Sequence, residues 1–297
     1  MSSLKEEGTI VRALSGFYYV RCADGLITCR ARGRFRSEGL SPLVGDRVIV
    51  DKAEDGTGTV AEILPRRNAF GRPAVANVDL LVMVVSEAVP VTDPYLADRV
   101  TVRCEKNGVG AALVVNKCDL SSGARLAAIY AGTGYPVWCV SARTGEGIDA
   151  LRRGLAGKIC CFTGNSGVGK SSVLNALDPS FSIPTAEVSR KLGRGRHTTR
   201  HVELFDLGGG TFIADTPGFA SFGDETETPI FPEELAPLFP EFREHIGACR
   251  FDDCTHRKEP GCGLREAAEA GAIHPSRYAS YLRLYDEASQ LKRWELK

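Results

Sequence analysis

Gly164-Asn165-Ser166-Gly167-Val168-Gly169-Lys170-Ser171 has the spacing G-x-x-x-x-G-K-[ST], that of a loop able to cradle the phosphates of a nucleotide. Phosphate binding needs glycines, because the backbone must wrap the anion closely. It also needs a helix N-terminus, whose unpaired N–H groups and positive dipole end face the charge. The context is suitable. Lys158–Thr163 is short, apolar and β-prone, and a helix starting around Ser171-Ser172 runs to Leu177 and stops at Asp178-Pro179. In this motif Lys170 reaches the β- and γ-phosphates and the Ser171 hydroxyl holds Mg²⁺.

Two other apolar runs end in residues that suit a purine. Ala111–Val115 leads into Asn116-Lys117-Cys118-Asp119, and Pro136–Val140 leads into Ser141-Ala142-Arg143. An Asp carboxylate accepts from guanine N1–H and from the exocyclic amine, whereas adenine offers no such donor pair and would leave the carboxylate unpaired. Asn116 is expected to brace the loops, the Lys117 stem to lie along the base, and the Ala142 N–H to meet guanine O6. Downstream, Gly210–Asp215 followed by Thr216-Pro217-Gly218 reads as a strand, a carboxylate that helps to hold Mg²⁺ (Asp215) and a glycine N–H for the γ-phosphate (Gly218). Between these stretches, residues 188–200 carry five basic residues and no acid, with His197-Thr198-Thr199 inside. Thr198 or Thr199 is the expected Mg²⁺- and γ-phosphate-sensing threonine, and the spacing does not choose between them.

Cys249-x4-Cys254-x-His256-x5-Cys262 brings three thiols and an imidazole within fourteen residues. Thiols in a loop this charged (Arg250, Asp252, Asp253, Arg257, Lys258, Glu259) are poorly placed for apolar packing, so a closed, structural Cys₃His zinc site is expected. The other seven cysteines lie in apolar segments and read as reduced core thiols.

The elements that must position these groups change texture along the chain. At 297 residues, 43% hydrophobic and 25% charged, with a formal net charge of zero, the composition is that of a globular protein of about two or three domains. No run approaches the ~18 apolar residues of a membrane span, and Met1–Glu7 lacks a signal peptide's apolar core, so a cytoplasmic protein without a membrane partner is expected. Residues 1–70 hold five short β-like runs separated by turns, suggesting an OB-like barrel. Arg30, Arg32, Arg34 and Arg36 alternate with Ala31, Gly33 and Phe35. On an extended chain they would share one side, either as a surface for nucleic-acid backbone with Phe35 available for stacking, or as a solvated strand edge. Residues 71–223 alternate strands with helices, as in an α/β sheet. Residues 224–297 are expected to be helical around the zinc, with helices over Glu233–Phe242, Leu264–Ala270 and Pro275–Trp294. Tyr278, Tyr281, Leu282, Tyr285 and Ala288 form an apolar stripe on the last of these.

The motif order is unusual, because Asn116–Asp119 and Ser141-Ala142 precede the phosphate loop. The chain therefore resembles a circularly permuted GTPase. With the OB-like leader, Gly195–Thr199 and the Cys/His tail, it resembles the RsgA family of ribosome-small-subunit-dependent GTPases from about residue 9 onward. The resemblance implies an α/β P-loop GTPase core, circularly permuted, with an N-terminal all-β OB-like barrel and a C-terminal helical zinc-binding domain. It further implies GTP/GDP and Mg²⁺ binding, GTP hydrolysis stimulated by the small ribosomal subunit, contact with rRNA and a role in late maturation of that subunit, by a protein acting as a monomer. A rival reading is an RNA-binding scaffold in which GTP only sets conformation. Phe219 stands where Ras-like GTPases carry the glutamine that orients water, so hydrolysis needs help from elsewhere, and His197 is a candidate.

Overall fold

The computed structural model describes residues 4–33, 35, 39–71, 74–181, 202–215 and 229–291. Its N-terminal strands β1 (Leu4–Leu14), β2 (Phe17–Cys22), β3 (Gly25–Ala31), β4 (Arg47–Lys52) and β5 (Thr57–Ile63) close a barrel in the order β1-β2-β3-β5-β4. Closure comes from a parallel β3–β5 pairing between otherwise antiparallel neighbours, the five-stranded Greek-key pattern of an OB fold. Alternation fills the interior: Ile10, Val20, Ile27, Cys29, Val48, Val50 and Val60 are all buried.

The arginine stripe departs from its extended reading. β3 ends at Ala31, and Phe35 lies in helical backbone, 3% exposed and unable to stack on a base. Once the chain leaves the strand at Arg32-Gly33 the period of two no longer applies. Arg30 lies over the Phe17 ring and Arg32 pairs with Asp51, while Arg34 and Arg36 fall outside the described residues.

Beyond β5 two further short strands form. β6 (Ala69–Gly71) and β7 (Ala74–Ala76) pair as a short hairpin. Arg66 holds the fully buried Asp46 with two 2.7 Å hydrogen bonds, one to each carboxylate oxygen.

A second sheet has six strands in the order β10-β9-β8-β11-β13-β12. They are β8 (Leu80–Ser86), β9 (Gly110–Asn116), β10 (Val137–Cys139), β11 (Ile159–Thr163), β12 (Leu204–Gly208) and β13 (Thr211–Asp215). β8 and β11 are buried along their whole length, as strands covered on both faces require. Helices α1 (Pro94–Lys106), α2 (Ala124–Tyr130), α3 (Ile148–Leu155) and α4 (Lys170–Leu177) connect them. α1 begins cleanly because the Asp93 side chain accepts from the Tyr95 N–H and Pro94 presets the first turn.

By packing, the chain divides into two compact units. One takes in Met1–Leu81, Arg152–Thr163 and Asp178–Ala220; the other takes in Val82–Leu151, Gly164–Leu177 and Ser221–Lys297. The second unit contains the tail, whose helices are α5 (Pro232–Leu235), α6 (Gly263–Glu269) and α7 (Pro275–Ala288). The single helix expected over Glu233–Phe242 is instead α5 followed by two 3₁₀ turns, Ala236–Leu238 and Pro240–Phe242. Pro237 and Pro240 lack the N–H that a continuous α-helix would need there. α7 likewise ends at Ala288, short of Trp294, and residues 292–297 lie outside the described set.

Within this unit α7 packs on α1 through charge as well as apolar surface. Arg277 is fully buried and donates to Asp98 Oδ1 on α1 at 2.6 Å and to both Glu241 oxygens at 2.6 and 3.2 Å. Tyr130 donates to the same Asp98 oxygen at 2.8 Å, and the guanidinium lies 4.6 Å from the Phe239 ring centre.

Candidate nucleotide and metal sites

Asn116 ends β9 and ties three loops together. Its amide donates to the Val168 carbonyl of the phosphate loop at 3.0 Å, while its Oδ1 accepts from the Ala142 N–H at 3.1 Å. The Ala142 N–H, expected to meet guanine O6, is thus held by Asn116. Lys117 has φ +68° and directs its ammonium to the Gly167 and Val89 carbonyls, 2.7 Å from each, so its stem is stretched along the loop edge. Cys118 turns its thiol back to the Val115 carbonyl at 3.2 Å, and its N–H bonds to Val140 at 3.0 Å. Burial pushes that thiol up to about 11, so it stays neutral and serves the shape of the loop.

Asp119, the residue expected to accept from guanine, accepts here from donors of its own chain. Ser141 Oγ donates to its Oδ1 at 2.6 Å, and Arg143 donates to its Oδ2 from Nε at 2.8 Å and approaches with Nη2 at 2.7 Å. These partners, Ser141 first, hold the carboxyl below its ordinary value, so it is ionised at neutral pH. Arg143 is the residue for which the sequence suggests no role. Only its place in the Ser141-Ala142-Arg143 run points to it.

The phosphate loop joins β11 to α4. A Cβ at Gly164 (φ +153°) would lie 2.5 Å from the Val84 carbonyl, and one at Gly169 (φ +94°) would lie 2.3 Å from Asn116 Nδ2. These glycines are therefore required by contact as well as by backbone angle. Val168 is buried and pins the loop, whereas Asn165, Ser166 and Gly167 are exposed and Lys170, Ser171 and Ser172 are half-buried in the first turn of α4. Glycines that hold the backbone open, a buried anchor and a helix start together fit a phosphate chain with its magnesium. Asp215 ends β13 in register with Phe162 on β11. His197, Thr198, Thr199 and Gly218 lie outside the described residues.

The Cys/His cluster is assembled. All four donor atoms lie within 4.8 Å of one another. His256 Nδ1 is 3.4 Å from Cys249 Sγ and 3.5 Å from Cys262 Sγ, and those sulfurs are 3.9 Å apart. Tetrahedral zinc with ordinary bond lengths sets S···N near about 3.6 Å and S···S near about 3.8 Å, so these residues fit the metal. Burial lowers the His256 pKa and favours the neutral ring that ligation needs. The loop is locked from two directions. Tyr278 and Tyr281 hydroxyls donate to the His256 and Thr255 carbonyls, each at 2.8 Å, which gives the tyrosine stripe of α7 its place as core against the zinc loop. Burial alone would raise Glu259, but donors from Thr255 and from the Arg257 N–H outweigh it and hold its carboxyl far below the usual range.

A family model described as RsgA GTPase matches residues 63–225, and one described as RsgA N-terminal domain matches residues 7–60. The chain belongs to the RsgA GTPase family. A relative named small ribosomal subunit biogenesis GTPase RsgA from Halalkalibacterium halodurans is 44% identical over 97% of this chain and 99% of its own length. One of the same name from Moorella thermoacetica is also 44% identical, over 97% and 99%. Among solved structures, YjeQ from Thermotoga maritima superposes with a TM-score of 0.83 at 38% identity, covering 97% of this chain and all of that one. YloQ, titled a circularly permuted GTPase, gives 0.81 at 35% identity, over 97% and 96%.

Membership of the RsgA GTPase family makes the chain a GTP phosphohydrolase using GTP, GDP and Mg²⁺, and the geometry agrees with the permuted order. β9 and β10, whose following loops carry Asn116–Asp119 and Ser141-Ala142, precede β11 in the chain yet lie on the other side of β8 from it in the sheet. Asn116 reaches Val168 across 52 residues of sequence. Nothing in that bond depends on which segment is made first, so cutting and rejoining the chain leaves the site intact.

Proposed function

We propose that this chain binds GTP with its guanine on Asp119 and its phosphates on Gly164–Ser172, and hydrolyses it when docked on the small ribosomal subunit during late maturation. The observation that carries the nucleotide part is Asn116, which holds the base-reading loops and the phosphate loop in one arrangement. The ribosomal part draws its support from the relatives' name and from the full-length likeness. We read residues 1–70 as an rRNA-binding barrel, 71–223 as the permuted GTPase domain and 224–297 as the zinc-binding domain of a cytoplasmic monomer. No described helix is long and apolar enough to cross a membrane.

In this reading Lys170 and the loop N–H groups hold the β- and γ-phosphates, and Ser171 and Asp215 keep the magnesium role their motifs give them. Magnesium, when bound, neutralises charge that develops on the phosphate oxygens. Gly218 and one of Thr198 and Thr199 sense the γ-phosphate, and His197 serves water activation. Cys249, Cys254, His256 and Cys262 leave zinc no open position, so its part is structural. Hydrolysis is slow in the free protein because Phe219 cannot orient water. The test is GTP turnover while small subunits are titrated in. Strong stimulation is expected, with tighter subunit binding in a non-hydrolysable GTP analogue than in GDP. Turnover that the subunit leaves unchanged would refute the ribosomal reading, and subunit binding that follows GTP without its cleavage to GDP and phosphate would favour the scaffold.

A further inference from the structure

The base-reading carboxylate already has a donor pair of its own. The loop after β10 is tightly wound: the Ser141 N–H bonds to the Glu146 carbonyl at 2.9 Å, the Gly145 N–H to the Ser141 carbonyl at 2.8 Å, and the Thr144 N–H to Ser141 Oγ at 3.2 Å. This winding carries the Arg143 guanidinium across Asp119, with its side chain 72% exposed and that of Asp119 10% exposed.

A carboxylate has about four acceptor positions, two on each oxygen. Ser141 occupies one on Oδ1, Arg143 Nε takes one on Oδ2, and Nη2, 2.7 Å from Oδ2, screens the approach to the other. Guanine presents N1–H and N2–H side by side and needs one position on each oxygen. Oδ1 has one to give; the remaining one on Oδ2 is covered by the guanidinium while Arg143 stays. We propose that Arg143 is a stand-in for guanine, a specificity-determining residue whose N–H groups occupy the acceptor sites of Asp119 until the base displaces them. The proposal rests on the reading of Asp119 as the guanine acceptor.

The exchange is asymmetric between purines. Guanine replaces the donors it displaces, so the carboxylate is never left short. Adenine has no donor pair for this edge, so it must either leave Arg143 in place, where the base should lie, or strand an ionised carboxylate. Arg143 therefore guards the site against the wrong base at little cost to the right one, because an exposed ion pair is weak and opens readily.

Association and dissociation of a fluorescent GDP, followed by stopped flow, test the idea. Arg143→Ala should speed association about two- to five-fold, the span of one exposed ion pair, and leave dissociation within a factor of about two. Arg143→Lys, with a point charge but no fork, should fall between. In an Asp119→Asn background read with a xanthosine diphosphate, Arg143→Ala should change neither rate. Faster dissociation of GDP from Arg143→Ala would make Arg143 a contact of the bound nucleotide and overturn the proposal. So would unchanged association, or an equal acceleration in the Asp119→Asn background. If Asp119→Asn keeps GDP and gains no xanthosine nucleotide, the guanine reading itself fails, and this proposal fails with it.

Discussion

Arg277→Met removes the one cation of a buried triad and leaves Asp98 and Glu241 facing each other without it. In the intact protein Arg277 and Asp98 are fully buried and Glu241 is 5% exposed. Taking one partner from such a cluster costs about 3–5 kcal/mol, because the remaining charges keep their desolvation penalty and lose their attraction. The loss should depend on pH in a definite direction. Burial raises the pKa of Asp98 above its ordinary 3.8, against the opposing pull of Arg277. A carboxyl raised in the folded state binds more protons folded than unfolded, so its contribution to stability falls as pH rises from about the unfolded value through the folded one. With Arg277 gone that window extends upward, so the penalty should be larger at about pH 8 than at about pH 5. Urea unfolding of the zinc-loaded protein at both pH values, with wild type subtracted, measures it. Hydrogen exchange of α7 should show the same trend locally. The triple variant Asp98→Asn, Glu241→Gln, Arg277→Met removes every charge and should recover more than half of the loss. A loss under about 1 kcal/mol at the higher pH, or one of equal size at both pH values, would refute the argument.

Gly169→Ala places a methyl group 2.3 Å from Asn116 Nδ2 at a φ of +94°. Losing both Asn116 bonds should weaken GDP binding at least about 100-fold while the circular dichroism spectrum is unchanged. Purified protein should hold one zinc per chain by metal analysis. Cys254→Ser should lose it and expose residues 249–262 to hydrogen exchange, with GDP affinity kept within about three-fold. Tyr281→Phe strands the Thr255 carbonyl and should cost about 1 kcal/mol of stability, measurable as earlier zinc release in urea.

The parts legible in the sequence are those where chemistry fixes both residue type and spacing. Phosphate loops, guanine readers and zinc knuckles tolerate few substitutes, so Gly164–Ser171, Asn116–Asp119 and the Cys₃His set stand out by type and spacing, and the Cys₃His donors come together within 4.8 Å. The sheet strands are legible because burial on both faces makes them uniformly apolar. Phe35 misleads because a period of two means one-sidedness only while the chain stays extended, and it turns after Ala31. Strand β12 leaves no comparable signal, since Asp206-Leu207-Gly208 interrupts it, whereas the short helix α3 carries an apolar face in Ile148, Leu151 and Leu155. Arg277 is illegible for another reason. A lone arginine on an amphipathic helix looks solvated, and its partner Asp98 is 179 residues away.

That separation has a consequence for synthesis. A ribosome adds about 5–20 residues per second, so the 52 residues between Asn116 and Val168 take about 3–10 s and the 179 between Asp98 and Arg277 take about 9–36 s. In a nascent chain, α1 therefore exists well before the helix that covers it. Throughout that interval Tyr95 and Val102, both buried in the finished protein, have no α7 to lie against, and Asp98 has no Arg277 to pair with. Nucleotide can organise the loops as soon as residue 168 is free, but sealing α1 waits for residue 277. An intermediate with its loops tied by Asn116 and an uncovered apolar face on α1 is therefore expected on a translating polysome.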